Sequence, residues 1–146
     1  MKLGISLIAV AMIAAGCASV APAGPKATTK LEPTKGNTAN GTATFTQKGD
    51  CSSGDGMSAG GHFNPRGKPH AMPSTSDRHA GDLPMLVADA GGNATLVVEL
   101  DVITIGGGET DIVGRGLIVH KDPDDFRTQP TGNSGARVAC GVITRS

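Results

Sequence analysis

A chain of 146 residues is long enough for one small domain, and its 13 basic and 13 acidic side chains give no net charge. Without an excess of basic residues there is no electrostatic footprint for phosphates, so we expect no nucleic-acid partner. With 22 Gly, 9 Pro, three Phe and neither Trp nor Tyr, the domain must pack small aliphatic side chains between many turns.

The first 16 residues have the layout of a secretory signal peptide, because Lys2 precedes an apolar run too short to span a bilayer as a mature helix. The following junction, AAGC at 14–17, resembles a bacterial lipobox, in which cleavage frees Cys17 to carry lipid. The alternative is an ordinary signal peptide cleaved further on, for example after Ala23. Both interpretations send the protein out of the cytoplasm. Lipidation of Cys17 further predicts a membrane-anchored lipoprotein of the periplasm or cell envelope.

Loss of residues 1–16 would leave 12 basic and 13 acidic residues, a net charge of −1. Residues 17–29 are rich in Ala, Pro, Lys and Thr and predict a flexible tether, so we expect one domain over residues 30–146. Within it, short runs of β-forming residues alternate with Gly and Pro clusters, which favours an antiparallel all-β sandwich or barrel. The predicted strands are 30–34, 41–47, 94–102, 114–120 and 137–144.

The segment between residues 51 and 86 has no strand pattern and carries three of the four histidines of the chain. A loop this long inside a small domain is usually functional or disordered. His62, His70, His79 and Asp82 would supply three imidazoles and one carboxylate, enough for a closed tetrahedral Zn²⁺ site. Bound metal would cross-link a loop that has no core of its own. From the spacing alone, unrelated surface histidines remain the alternative.

The three cysteines divide into one near the N-terminus and two in the domain. If Cys17 carries lipid or is unpaired, Cys51 and Cys140 remain. Two distant cysteines in an oxidising compartment favour a disulfide. Closing so long a loop would stabilise the fold by roughly 4 kcal/mol in the chain-entropy model.

Three motifs together resemble the copper/zinc superoxide dismutase family, over a stretch from about residue 30 to the C-terminus. The first, GGHFNP at 60–65 with KPH at 68–70 and RHAGDL at 78–83, is similar to the family's zinc loop. The second, GRGLIVH at 114–120, is similar to a strand with a copper-ligating histidine, and GNSGARVACGVI at 132–143 is similar to the closing strand. The resemblance implies an eight-stranded Greek-key β-barrel.

The resemblance also implies the metal ligands. His62 would bridge copper and zinc, and His120 would be a copper ligand. The remaining zinc ligands would be His70, His79 and Asp82.

Other residues take supporting roles by the same resemblance. Asp124 would be the outer carboxylate that links a copper-ligating and a zinc-ligating histidine, which fixes the orientation of both rings. Arg137 would lie beside the copper and attract the superoxide anion. Cys51 and Cys140 would form the family's intrachain disulfide.

This sequence departs from the family before the zinc loop. The family's other two copper ligands come from a His-x-His strand that precedes a Gly-Asp-Cys sequence, whereas here TFTQKGD at 44–50 runs into Cys51, and the chain has no His-x-His. We therefore expect two of the eight strands to be absent and copper to be held only by His62 and His120. Open sheet edges would follow.

Three functions stay open at this point. The first is superoxide disproportionation to oxygen and hydrogen peroxide at a copper centre, impaired by the missing ligands. The second is a non-catalytic, zinc-binding lipoprotein. The third is a defective product with no function of its own, because a segment was lost from its gene, its transcript or its determined sequence. Whether the protein forms a homodimer is left open.

Overall fold

Strands make up all the extended regular structure of the protein, which we describe from a computed structural model over residues 24–33, 42–90 and 93–146. These residues form seven strands, one short 3-10 turn at Met57–Ala59 and no α-helix, so the all-β prediction is confirmed. None of them forms a helix that is long and apolar enough to cross a membrane. The strands are β1 (Ala27–Thr28), β2 (Glu32–Pro33), β3 (Thr42–Thr46), β4 (Asp82–Met85), β5 (Gly116–His120), β6 (Arg137–Val142) and β7 (Thr144–Arg145).

Two antiparallel sheets organise the domain. The larger has the strand order β2-β6-β5-β3-β4, and the smaller pairs β1 with β7. At the centre of the larger sheet, Ile118 of β5 lies opposite Thr44 of β3 on one side and Cys140 of β6 on the other. Most neighbouring strands in this sheet are distant in sequence, so the pairing is decided by tertiary contacts.

Side chains along β3 alternate between the two faces of the larger sheet. Ala43 and Phe45 belong to the main apolar cluster, which also contains Phe63, Leu83 and Ile143. The neighbouring side chains of β3, on the other face, lie on the side covered by the long loop. All five residues of β3 are buried, as expected for a strand enclosed on both faces.

The predicted strand at 94–102 is wrong. Within the described residues of this segment, only Ala94 forms a β-bridge, with Ala88. An alternating sequence becomes a strand only where a neighbouring strand satisfies its backbone groups, and no strand among residues 24–33, 42–90 and 93–146 pairs with this segment. Its apolar side chains differ in their surroundings: Val97 is 92% exposed to solvent, whereas Leu100 packs against the main apolar cluster.

The predicted loop contains one strand that the sequence pattern did not predict. β4 begins at Asp82 and pairs with β3, where Asp82 lies opposite Thr44. Its sequence, DLPM, includes a proline and is too short to alternate recognisably. Elsewhere, the predicted strands at 41–47, 114–120 and 137–144 are confirmed as β3, β5 and β6.

The N-terminal boundaries stay predictions. The signal peptide and Cys17 lie outside the described residues. Within the segment predicted as a tether, Ala27–Thr28 pair with Thr144–Arg145.

Candidate metal centre

The four residues predicted to bind zinc lie together. One ligand atom from each of His62, His70, His79 and Asp82 lies within 4.8 Å of the others, and all four side chains are buried. Three come from the long loop, and Asp82 begins β4, so pairing of β4 with β3 fixes the carboxylate around which the loop folds.

Asp82 is the centre of this cluster. Its Oδ1 atom lies 2.9 Å from Nδ1 of His62 and 2.9 Å from Nδ1 of His70. Its Oδ2 atom accepts hydrogen bonds of 3.1 Å from the backbone N–H groups of Ala71 and His79. Burial would raise the pKa of Asp82, but the hydrogen bonds from His62, His79 and Ala71 hold it well below its usual range. The carboxylate is therefore ionised at neutral pH.

The donor set fits a divalent cation. Nδ1 of His79 lies 3.2 Å from Oδ1 of Asp82, yet it is buried and has no hydrogen-bond partner among the described residues. Three imidazole Nδ1 atoms thus converge on one carboxylate oxygen, an arrangement that a shared cation satisfies better than protons can. Three histidines and one aspartate in a closed, buried cluster are a donor set typical of Zn²⁺.

A second layer of contacts orients His70. Its Nε2 atom lies 2.9 Å from Oδ1 of Asp124. Burial would lower the pKa of His70, but Asp124 and Asp82 together raise it above its usual value. The side chain of Gln129 also brackets the His70 backbone, accepting from its N–H and donating to its carbonyl at 2.8 Å each. Sequence reasoning missed Gln129, since nothing in its local sequence distinguishes it from a turn residue.

The two predicted copper ligands, His62 and His120, lie beside each other at a second position, in an edge arrangement of their rings. The ring centroids of His62 and His120 are 6.0 Å apart. Nε2 of His62 is buried and has no partner within the described part of the chain. Nδ1 of His120 lies 3.4 Å from the carbonyl oxygen of Gly135, which can only accept, so Nδ1 carries the proton and Nε2 accepts from the Thr44 hydroxyl at 3.3 Å.

This second position does not fit copper as well as the first fits zinc. The chain has four histidines, and three of them are in the cluster around Asp82, so at most His62 and His120 supply nitrogen here. Cu²⁺ prefers tetragonal sites rich in nitrogen ligands, which two imidazoles do not complete. Burial lowers the pKa of His120 to about 4, outweighing the opposing contact with Gly135, so the ring is neutral at pH 7.

Arg137 lies beside His120, its partner in the β5–β6 ladder. Its guanidinium donates to the carbonyl oxygens of Gly56 at 2.9 Å and Gly60 at 2.6 Å. Burial lowers the pKa of Arg137, with Asp55 opposing, but a guanidinium stays charged at neutral pH. The structure thus holds a cation near His120, and its role in attracting an anion stays a prediction.

The predicted disulfide is confirmed. Cys51 and Cys140 are bonded, with their Cα atoms 5.8 Å apart and 89 positions between them in sequence. The bridge ties the start of the long loop to β6 and packs with Ala59 and Ile118.

Comparisons with known sequences agree with this geometry. The family model for copper/zinc superoxide dismutase (SODC) matches residues 15–143. "Superoxide dismutase [Cu-Zn] 2" of Aquifex aeolicus is 40% identical over 101 residues, which cover 66% of this chain and 59% of that protein. The protein of the same name from Brassica juncea is 44% identical over 101 residues, 65% of each chain. This chain therefore spans about 60% of the length of these relatives.

Solved structures give the same architecture. The crystal structure of the clock protein EA4 superposes with a TM-score of 0.66 at 33% identity, covering 82% of this chain and 71% of that one. The crystal structure of a double mutant of a SOD-like protein from Bacillus subtilis superposes with a TM-score of 0.65 at 35% identity, covering 82% of this chain and 78% of that one.

Proposed function

Because this chain belongs to the copper/zinc superoxide dismutase family, we propose that it is a zinc-binding member whose ability to disproportionate superoxide to oxygen and hydrogen peroxide is impaired. The observation that carries the proposal is an asymmetry between the two metal positions. Four buried donors converge at the first position, while only two neighbouring imidazoles are present at the second.

The chemistry explains why this asymmetry limits activity. Disproportionation needs a centre that alternately takes an electron from one superoxide and gives an electron to another. Zn²⁺ has no accessible second oxidation state, so the complete position cannot supply this cycle. What zinc would supply is structure, since it would join four side chains from distant positions of the long loop.

Metal analysis of the purified protein tests the proposal directly. We expect about one tightly held Zn²⁺ per chain, and zinc removal by a chelator should expose loop amides to hydrogen exchange. Superoxide removal by the protein loaded with both metals should be far slower than that of a complete family member. Stoichiometric copper with fast turnover would contradict the proposal.

A matched variant separates residual activity from contamination by free copper. His120→Gln removes a predicted ligand of the second position and leaves the cluster around Asp82 unchanged. Any turnover that belongs to His62 and His120 should disappear in this variant, while zinc content stays the same. Turnover that survives unchanged would come from copper bound elsewhere.

The alternative function is a non-catalytic zinc-binding lipoprotein. It is favoured by the contact between Thr44 and His120, because the hydroxyl engages the nitrogen lone pair that a metal would need. Equal superoxide removal by wild type and His120→Gln, at the level of buffer copper, would select this alternative.

We also propose that the mature protein is anchored to the cell envelope by lipid on Cys17, supported by the lipobox-like junction at 14–17. Cys17→Ser should then move the protein from the membrane to the soluble fraction and abolish labelling by a radioactive fatty acid. An unchanged distribution would favour the ordinary signal peptide.

A further inference from the structure

Strand β3 presents a row of threonines toward the metal positions. Thr42, Thr44 and Thr46 are fully buried, while the intervening Ala43 and Phe45 face the main apolar cluster. Side chains two positions apart on a strand point to the same side, so the three threonines share the face that the long loop covers.

Two of these threonines adjoin the two histidines of the second position. The Thr44 hydroxyl lies 3.3 Å from Nε2 of His120. Thr46 forms a β-bridge with His62, whose Nε2 atom has no partner among the described residues. β3 therefore passes both histidines, with Thr44 beside His120 and Thr46 opposite His62.

The neighbouring strand leaves room for the side chain at position 46. Gly116 of β5 lies opposite Thr46, and a Cβ at Gly116 would collide with the Thr46 hydroxyl. The Thr46 hydroxyl donates its hydrogen bond to the carbonyl oxygen of Lys48 at 3.1 Å, and not to a histidine ring.

Resting on the proposed function, we infer that β3 occupies the place of the family's ligand-bearing strand, and that Thr44 and Thr46 are the residues that keep copper from the second position. The order along the chain agrees, since the family's His-x-His precedes Gly-Asp-Cys and here Thr44-x-Thr46 precedes Gly49-Asp50-Cys51. In this inference a strand is present at the position of the family's ligand-bearing strand, but threonines stand where that strand carries its two copper-ligating histidines.

The chemistry of the threonines supports this assignment. A neutral hydroxyl is a poor ligand for Cu²⁺ compared with imidazole nitrogen. Thr44 has a further effect, because its hydroxyl donates to the lone pair of His120 Nε2. Copper would have to displace this hydrogen bond before His120 could bind it, and the displaced hydroxyl would not replace the missing imidazole.

The test is the double variant Thr44→His/Thr46→His, with Thr44→Val/Thr46→Val as the control of equal shape. Each protein is loaded with zinc, mixed with Cu²⁺ against a competing chelator, and examined by metal analysis and electron paramagnetic resonance. We expect the histidine variant to retain about one copper per chain with nitrogen hyperfine structure. Wild type and the valine control should retain little.

Failure of this inference differs from failure of the proposed function. A disulfide-bonded, zinc-loaded histidine variant that retains no more copper than wild type would overturn the inference and leave the proposed function standing. Fast turnover with stoichiometric copper in wild type would overturn both.

A second variant keeps the test decisive if the larger side chains prevent folding. Thr44→Ala/Thr46→Ala creates space beside both histidines, and added imidazole should then increase copper retention in this variant more than in wild type. Equal responses of the two proteins to imidazole would overturn the inference.

Discussion

Nε2 of His70 lies 2.9 Å from Oδ1 of Asp124, although the two residues are 54 positions apart. The opposite ring nitrogen of His70 lies 2.9 Å from Asp82. One imidazole is therefore fixed between two carboxylates, one inside the metal cluster and one outside it. This relationship makes the turn after β5 part of the candidate metal centre.

Replacing Asp124 with alanine should weaken zinc binding by about 10- to 100-fold, because the His70 ring loses its outer hydrogen bond and its preferred orientation. Competition with a chromophoric zinc chelator measures the change. Asp125→Ala is the control, since the hydrogen bonds of the Asp125 side chain among the described residues are to Arg127 and Thr128 of its own turn. Similar zinc affinity in wild type and Asp124→Ala would argue against the orienting role.

Gly132→Ala should damage the same contact from a different direction. Gly132 has φ +66°, and a Cβ there would collide with Oδ1 of Asp124 and approach Nε2 of His70. Gly67→Ala is a matched control, because Gly67 has φ +60° with no atom within 4 Å of the added Cβ. Gly67→Ala should lose about 1–2 kcal/mol through backbone strain, and Gly132→Ala should lose more because of the added collision, both measured by urea unfolding. Only Gly132→Ala should also lose zinc affinity.

The pH dependence of the metal-free protein should reveal the buried His120. Its folded pKa of about 4 is below its unfolded value of 6.5, so its contribution to stability is complete above pH 6.5 and is lost as pH falls toward 4. The loss amounts to at most about 3 kcal/mol. His120→Gln should lose less stability over this interval. The raised pKa of His70 makes the opposite contribution to the pH dependence of stability, and it does so in both proteins. The measurement is therefore the difference between the free energies of unfolding of wild type and His120→Gln across this pH interval. A difference that stays constant with pH would refute the lowered pKa of His120.

Removing the disulfide should destabilise the domain strongly. Cys51→Ala/Cys140→Ala reopens a loop closed across 89 positions, which the chain-entropy model values at roughly 4 kcal/mol. Chemical unfolding of the zinc-loaded proteins gives the difference. Cys17→Ala serves as the control and should leave the free energy of unfolding unchanged; a fall as large as that of the double variant would mean that Cys17 contributes to the fold.

The sequence by itself determined the β class, the disulfide and the identity of the metal cluster. His62, His70, His79 and Asp82 lie within about 20 residues of one loop, but this spacing alone left unrelated surface histidines as the alternative. The resemblance of the surrounding motifs to the copper/zinc superoxide dismutase family identified the four residues as one set of ligands. Cys51 and Cys140 could be paired because two thiols were left over once Cys17 was set aside.

Only the tertiary structure decided which segments became strands and what surrounds the second metal position. Residues 94–102 have the alternation of a strand, but among the described residues they form only the single bridge of Ala94 with Ala88, whereas the short β4 is a strand because β3 lies beside it. The same strand β3 brings Thr44 to His120 across 76 positions, a contact that no local pattern encodes. Strand pairing is a relationship between distant segments, so it depends on which partners the rest of the fold supplies.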